Sequence, residues 1–301
     1  MKNAVKTALL LSSSLIGAGF ATGREICEFF PPDGIFGLLN AVFSCFLICL
    51  FTFLIIKKGN ALAENITYRI FVFLFLVCME SAMFAGASYF PYGRIILAVL
   101  VVITYIAGIT GIETAAVILT PIIALYIIVS AVIFGDMSIC ERTHAESHPF
   151  IYAGYNVIYF PILLKSIKIE KPLSVSVFLF IIMAPLIAAV SFLTQDFADF
   201  EIPLSNAVGE SVFFGIILFF AMYTTAACSA FCMSDIAGKK YGYVGIFLSF
   251  ITSFFGFGSI VSSGYRIFGI IGFALCIFLI LNRRNMKKYG ENSRNREKIN
   301  C

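Results

Sequence analysis

The sequence predicts an all-α integral membrane protein of ten transmembrane helices, arranged as two five-helix halves of opposite membrane sense (a 5+5 inverted repeat) with helices 1 and 6 broken. Three observations carry that prediction. Of 301 residues, 60% are hydrophobic and 13% charged, and the mean hydropathy is +0.97, outside the range of a soluble domain of this length. Short polar breaks divide the chain into ten apolar runs, at 5–30, 35–56, 70–90, 95–107, 113–134, 149–164, 173–194, 204–231, 243–257 and 265–281. The third is Leu15-Ile16-Gly17-Ala18-Gly19-Phe20-Ala21-Thr22-Gly23-Arg24-Glu25, which sets three glycines and a charge pair inside the first run.

In that run glycine disfavours continued helix, and backbone groups freed at a break are tolerated at membrane depth only where they face protein or a water-filled cavity. Broken helices near the midplane point to the binding site of secondary transporters. Gly17, Ala18, Gly19, Thr22 and Gly23 are therefore candidate substrate-binding residues. Lys2 and Lys6 ahead of the apolar stretch imitate a signal peptide, but the run continues to Ile26 and Phe29-Phe30, longer than such a signal needs. We read it as a retained span. Arg24, in its outer part, has two roles open to it: binding a substrate carboxylate, or pairing with Glu28 one turn on. Depth favours the pair.

The second run is plainly apolar. The third carries Glu80 near its middle, and an intramembrane ionisable residue is a candidate functional group. Glu80 is assigned to the substrate site or to proton transfer, with pairing to Arg24 as the structural alternative. The fourth, sixth and ninth runs fall short of the roughly 20 residues that cross a hydrocarbon core, which leaves counts of nine and eleven open. Glu113 opens the fifth, where an acid complements the helix N-terminus and needs no transport role.

The sixth run sets Gly154, Asn156 and the tyrosines Tyr152, Tyr155 and Tyr159 among apolar residues. It stands to runs six to ten as the glycine-rich run stands to runs one to five, and five spans per half is an odd number, so the halves cross the membrane in opposite senses. Gly154, Tyr155, Asn156 and Tyr159 complete the candidate substrate site, with a break expected around residues 153–156. The alternative is a tilted helix with an ordinary packing glycine. The seventh, ninth and tenth runs carry no such feature; the eighth contains Thr224-Thr225.

Charge orients the spans. With the N-terminus in the cytoplasm, all but four of the 21 basic residues fall inside, the exceptions being Arg24, Arg94, Arg142 and Arg266. The positive-inside rule thus supports ten spans, both termini cytoplasmic, in a bacterial inner membrane. The transporter domain covers 1–282, and the basic tail 283–301 suits anionic lipid headgroups or simple anchoring. Net charge +4 is a topology signal, with no nucleic-acid role. Six of the nine cysteines (Cys45, Cys49, Cys78, Cys228, Cys232 and Cys276) fall in apolar runs, as small apolar residues. Cys140, His144 and His148 share one outer loop with acids, but their spacing matches no standard zinc pattern.

Gly17-Ala18-Gly19-Phe20-Ala21-Thr22-Gly23-Arg24-Glu25-Ile26, with Tyr155-Asn156 and Thr224-Thr225, resembles the YkvI-type bacterial membrane proteins of the amino acid–polyamine–organocation superfamily, which has the LeuT fold. Arg24 departs from the uncharged polar residue expected in many relatives. The resemblance implies substrate held between the first and sixth helices, and a sodium ion held by carbonyls of Ala18 and Phe20 with the hydroxyls of Thr224 and Thr225. No other cofactor or metal is implied. The positive end of the outer half-helix favours an anionic substrate group.

The expected function is secondary active transport of a small polar solute, an amino acid or related zwitterion or amine, by alternating access coupled to sodium or protons. The alternative is a non-transporting sensor using the same pocket. An enzyme is not expected: there is no His-Glu-x-x-His, no Gly-x-Ser-x-Gly, and both histidines lie in one loop.

Overall fold

The computed structural model describes residues 2–31, 34–58, 63–135, 146–167, 169–209 and 211–281. The tail at 283–301, together with Cys140 and His144, lies outside the described residues.

The first apolar run is three helices: α1 (Lys2–Leu15), α2 (Ala18–Ala21) and α3 (Arg24–Phe29). Then come α4 (Gly34–Lys58), α5 (Ile66–Ala87) and α6 (Gly93–Phe134). After the outer loop follow α7 (Pro149–Val157), α8 (Phe160–Lys165), α9 (Pro172–Thr194) and α10 (Pro203–Val208). The described residues close with α11 (Val212–Ala237), α12 (Lys239–Thr252), α13 (Phe257–Ser259) and α14 (Tyr265–Leu281). No strand occurs among the described residues.

Glycines account for the main departures from the expected spans. The fourth and fifth runs join as α6, whose 42 residues turn a corner at Gly108 (φ 71°, ψ −159°). Without it a straight helix would run about 63 Å, twice a hydrocarbon core. The eighth run begins later than expected, because Gly209 (φ 79°) ends α10 and Ser211 caps α11 by accepting the Phe214 amide at 3.1 Å. The ninth begins earlier, at Lys239 after Gly238 (φ 92°), and its α-helix gives way at Thr252 to a 3₁₀ turn that Gly256 (φ 93°) closes near the expected end.

Five helices among the described residues are long and apolar enough to cross a membrane: α4, α5, α6, α9 with its 3₁₀ extension, and α11. The surface is apolar, and polar side chains are set within a largely apolar interior. Phe36, Ile106 and Val132 are 67%, 71% and 81% exposed, whereas Ser12, Ser13, Ser14, Glu25, Glu80, Thr224 and Thr225 are buried. That distribution suits a surface solvated by lipid, and this is a multi-pass membrane protein.

Helix neighbours place the site. α1 lies against α6, α9 and α11; α7 lies against α4 and α14; α5 lies against α11 and α12; α4 and α9 pair. The chain from α1 to α3 follows α9 along its length. Asn3 and Thr7 line a small cavity with Lys171 and Val175 at one end, and Cys27 Sγ donates to Thr194 O at the other.

Candidate functional site

The interruption between α1 and α2 is abrupt. Gly17 is extended (φ −88°, ψ −168°), so the amides opening α2 and the carbonyls closing α1 lose their helical partners. Side chains replace them. The Ala18 amide meets Met83 Sδ at 3.1 Å. Thr225 Oγ1 donates to Ser13 O at 3.0 Å, with Thr224 Oγ1 at 3.4 Å from the same oxygen. Tyr159 donates toward Ser14 O at 3.0 Å and Ser14 Oγ at 2.8 Å. A methyl on Gly17 would lie 3.1 Å from Met83 Cε and 3.2 Å from Thr225 Cγ2, so the site is closely filled.

A second interruption follows at Gly23, left-handed at φ 79°. Thr22 closes it, its hydroxyl donating to Gly19 O at 3.1 Å and accepting the Arg24 amide at 3.3 Å. The segment after α9 covers this turn: the Leu204 amide donates to Thr22 O at 2.9 Å. Arg24 donates to Ala198 O at 3.2 Å and Phe200 O at 3.3 Å.

Two expectations are corrected here, and one alternative falls away. Residues 153–156 are not a break: α7 continues through them to Val157, and Ile158 and Tyr159 separate it from α8. Gly154 instead lets two backbones approach, since a Cβ there would meet Gly269 O and lie 2.5 Å from Phe273 N in α14. Asn156 Nδ2 donates to Tyr152 O at 3.0 Å within its own helix. Second, the carbonyls of Ala18 and Phe20 accept the amides of Thr22 and Gly23 at 2.9 and 3.0 Å. The threonines reach Ser13 instead, because the break frees carbonyls of the helix that ends before it. Of the two roles open to Glu80, the pair with Arg24 does not form: Glu80 is fully buried beside Ser249 of α12, and Arg24 pairs with Glu28 at 3.8 Å.

Gly17, Ala18, Gly19, Thr22, Tyr155, Tyr159, Thr224 and Thr225 are all buried around the interruptions of the first helix. Sequence reasoning left Glu25 without a role. The structure buries it to 3% exposure, and it faces the phenols of Tyr155 and Tyr152. Tyr152 and Tyr265 were also missed. Tyr152 is one turn before Tyr155, which was a readable signal; nothing in the sequence pointed to Tyr265. Tyr155 is stacked between Phe29 and Tyr265, with centroids 5.4 and 5.0 Å away, and Tyr152 meets it edge-on at 5.4 Å.

No family model matches the chain. It is 22% identical to the uncharacterized protein YyaD of Bacillus subtilis (strain 168), over 92% of this chain and 96% of that protein. It is also 22% identical to the uncharacterized membrane protein YkvI of the same strain, over 90% and 94%. Among solved structures it resembles Mhp1, a nucleobase-cation-symport-1 family transporter in a closed conformation with bromovinylhydantoin bound. The TM-score is 0.56 at 14% identity, covering 92% of this chain and 74% of Mhp1. The fold is therefore the LeuT-type transporter fold.

Proposed function

We propose that the protein is a secondary active transporter of a small polar solute, working by alternating access and driven by sodium. One observation carries the reading: the two interrupted helices meet at their interruptions, where Tyr159, between α7 and α8, donates to Ser14 at the end of α1. Such junctions hold substrate and ion in transporters built from inverted repeats.

The pattern of neighbours supports ten spans in two inverted halves. Shift each helix by five spans, and α1 against α9 becomes α7 against α4, while α5 against α12 becomes α11 against α6. Likewise α1 against the arm of α6 beyond Gly108 becomes α7 against α14. The pairs α4–α9 and α5–α11 map onto themselves. Charge bias supports cytoplasmic termini.

For the ion, Ser13 O and the hydroxyls of Thr224 and Thr225 form a group of hard oxygens at the negative end of α1. Sodium there would replace the hydroxyl-to-carbonyl hydrogen bonds as the link between α1 and α11. The substrate would lie one turn further out, among Gly19, Glu25, Tyr152 and Tyr155. The test is uptake of labelled small solutes into proteoliposomes under sodium, proton or no gradient. Sodium-driven accumulation is expected; absence of any flux across amines, amino acids and nucleobases under every gradient would refute the proposal.

A further inference from the structure

We infer that the groove between α12 and the arm of α6 before Gly108 binds an anionic phospholipid, one acyl chain lying in the groove and the headgroup held by Lys239 and Lys240.

The groove follows from the sequence of α12. Gly242, Gly245 and Ser249 recur at helical spacing and are buried, and a Cβ on Gly245 would lie only 2.6 Å from Met233 Sδ of α11. That face of small residues draws α12 inward. Tyr243, Phe247 and Phe250 form a bulky stripe beside it, and with Val99, Val102 and Ile103 of α6 they line an almost wholly apolar groove of about 500 Å³. From Tyr243 to Phe250 the groove runs about 10 Å along the helix, within the roughly 15 Å depth of one leaflet.

Lipid is the occupant that the surroundings supply, since Phe247 and Ile103 are 63% and 58% exposed on a membrane protein. A chain that leaves bulk lipid for the groove exchanges one apolar environment for another and gains little hydrophobic free energy. Selectivity therefore rests on the headgroup. Lys239 and Lys240 open α12 one turn before Tyr243 and are exposed. Among the described residues neither forms an ion pair, even with Asp235 one turn earlier. The Tyr105 hydroxyl donates to Lys239 O at 2.8 Å and the Tyr105 ring meets Tyr243 edge-on at 4.8 Å, which fixes the lysine turn to the head of the groove. Space is open there, because a Cβ on Gly238 would meet nothing within 4 Å. No side chain caps α12, so the positive end of the helix adds to the two ammonium charges. The opposite end of the groove is poorer: Arg94 is a single cation, and its guanidinium already lies 4.5 Å from the centroid of the Phe254 ring.

The chain has no tryptophan, so Phe247→Trp puts a sole tryptophan in the groove. The full-length variant would be reconstituted in phosphatidylcholine vesicles holding rising fractions of phosphatidylglycerol or phosphatidylcholine brominated on the acyl chains, and quenching of tryptophan emission followed. With two lysines facing an anionic headgroup, brominated phosphatidylglycerol should reach half-maximal quenching at a mole fraction at least about threefold lower than brominated phosphatidylcholine. Adding Lys239→Gln and Lys240→Gln should abolish the difference, and Arg94→Gln should leave it. Phe46→Trp, at an exposed position of α4, should be quenched equally by the two lipids.

Equal quenching of the Phe247→Trp protein by both lipids overturns the inference, as does a preference that survives loss of both lysines. A preference of the same size in the Phe46→Trp protein overturns it too, because the anionic lipid would then be drawn to the basic protein as a whole. Loss of the preference in Arg94→Gln alone would seat the headgroup at the other end and refute the lysine site. Absence of quenching by either lipid would show the groove covered by protein, a second copy included, and refute the lipid.

Discussion

Replacing Gly154 by alanine separates a packing glycine from a helix-breaking one. An added methyl would meet Gly269 O, lie 2.5 Å from Phe273 N and lie 2.9 Å from Phe273 Cβ. Two of those three atoms are backbone, so relief requires α7 and α14 to move apart. The fit is reciprocal: a methyl on Gly269 would lie 2.6 Å from Ile151 O, and one on Gly272 would meet Gly154 O. Overfilling a close-packed contact costs about 1–3 kcal/mol when side chains can yield, and backbone on both sides puts Gly154→Ala at or above the upper end. At about 2–4 °C per kcal/mol, the unfolding midpoint in detergent should fall by roughly 6–12 °C. Gly215→Ala is the control, because its methyl would lie 2.9 Å from Phe90 Cε1, the edge of a ring that can turn; it should lose no more than about 3 °C. Equal stability of the two variants, measured by fluorescence-detected size exclusion after heating, would refute the packing role. A Gly154→Ala protein of normal stability that has lost ligand binding would restore the broken-helix role.

Three further outcomes are expected. Thr224→Ala combined with Thr225→Ala should raise the sodium concentration needed for half-maximal flux at least tenfold while leaving folded yield near wild type; unchanged sodium dependence would remove the ion site. Tyr159→Phe deletes the donor to Ser14 and should destabilise by about 1–2 kcal/mol, the cost of leaving a buried acceptor unpaired, read from detergent unfolding; no loss would mean the junction of the two helices is held otherwise. Glu80→Gln should leave sodium-driven flux intact, and its effect on the unfolding midpoint should add to that of Arg24→Gln, since the two residues share no partner. Rescue of one by the other would contradict the observed Arg24–Glu28 pairing.

Much of the fold was legible because lipid imposes long apolar runs and charge orients them. Residues 265–281 were bounded as observed, and the glycines of residues 17–23 marked a real interruption. Gly154 was misread for a physical reason: a glycine that frees the backbone and one that admits a neighbour's backbone are identical in sequence. Only α14, more than a hundred residues later, distinguishes them. The same limit applies to Glu25 and Glu80. Both are acids in apolar runs, yet their partners are set by tertiary contact, with Tyr152 and Tyr155 for one and Ser249 for the other.

The corrections make the two interrupted helices unequal. α7 is held against α14 by backbone lying on backbone at Gly154, Gly269 and Gly272, a contact that cannot shift without loss of packing over its whole length. The end of α1 is held by hydroxyls of Thr225 and Tyr159 on carbonyls that a helix break has already freed. Hydrogen bonds of that kind contribute roughly 0.5–1.5 kcal/mol each and can be exchanged for bonds to another donor at little net cost. At the break itself, exchange of those bonds is accordingly cheaper than parting α7 from α14. The glycines that look alike in the sequence thus divide the labour, those of the first helix permitting a change of partner and that of the sixth fixing a wall.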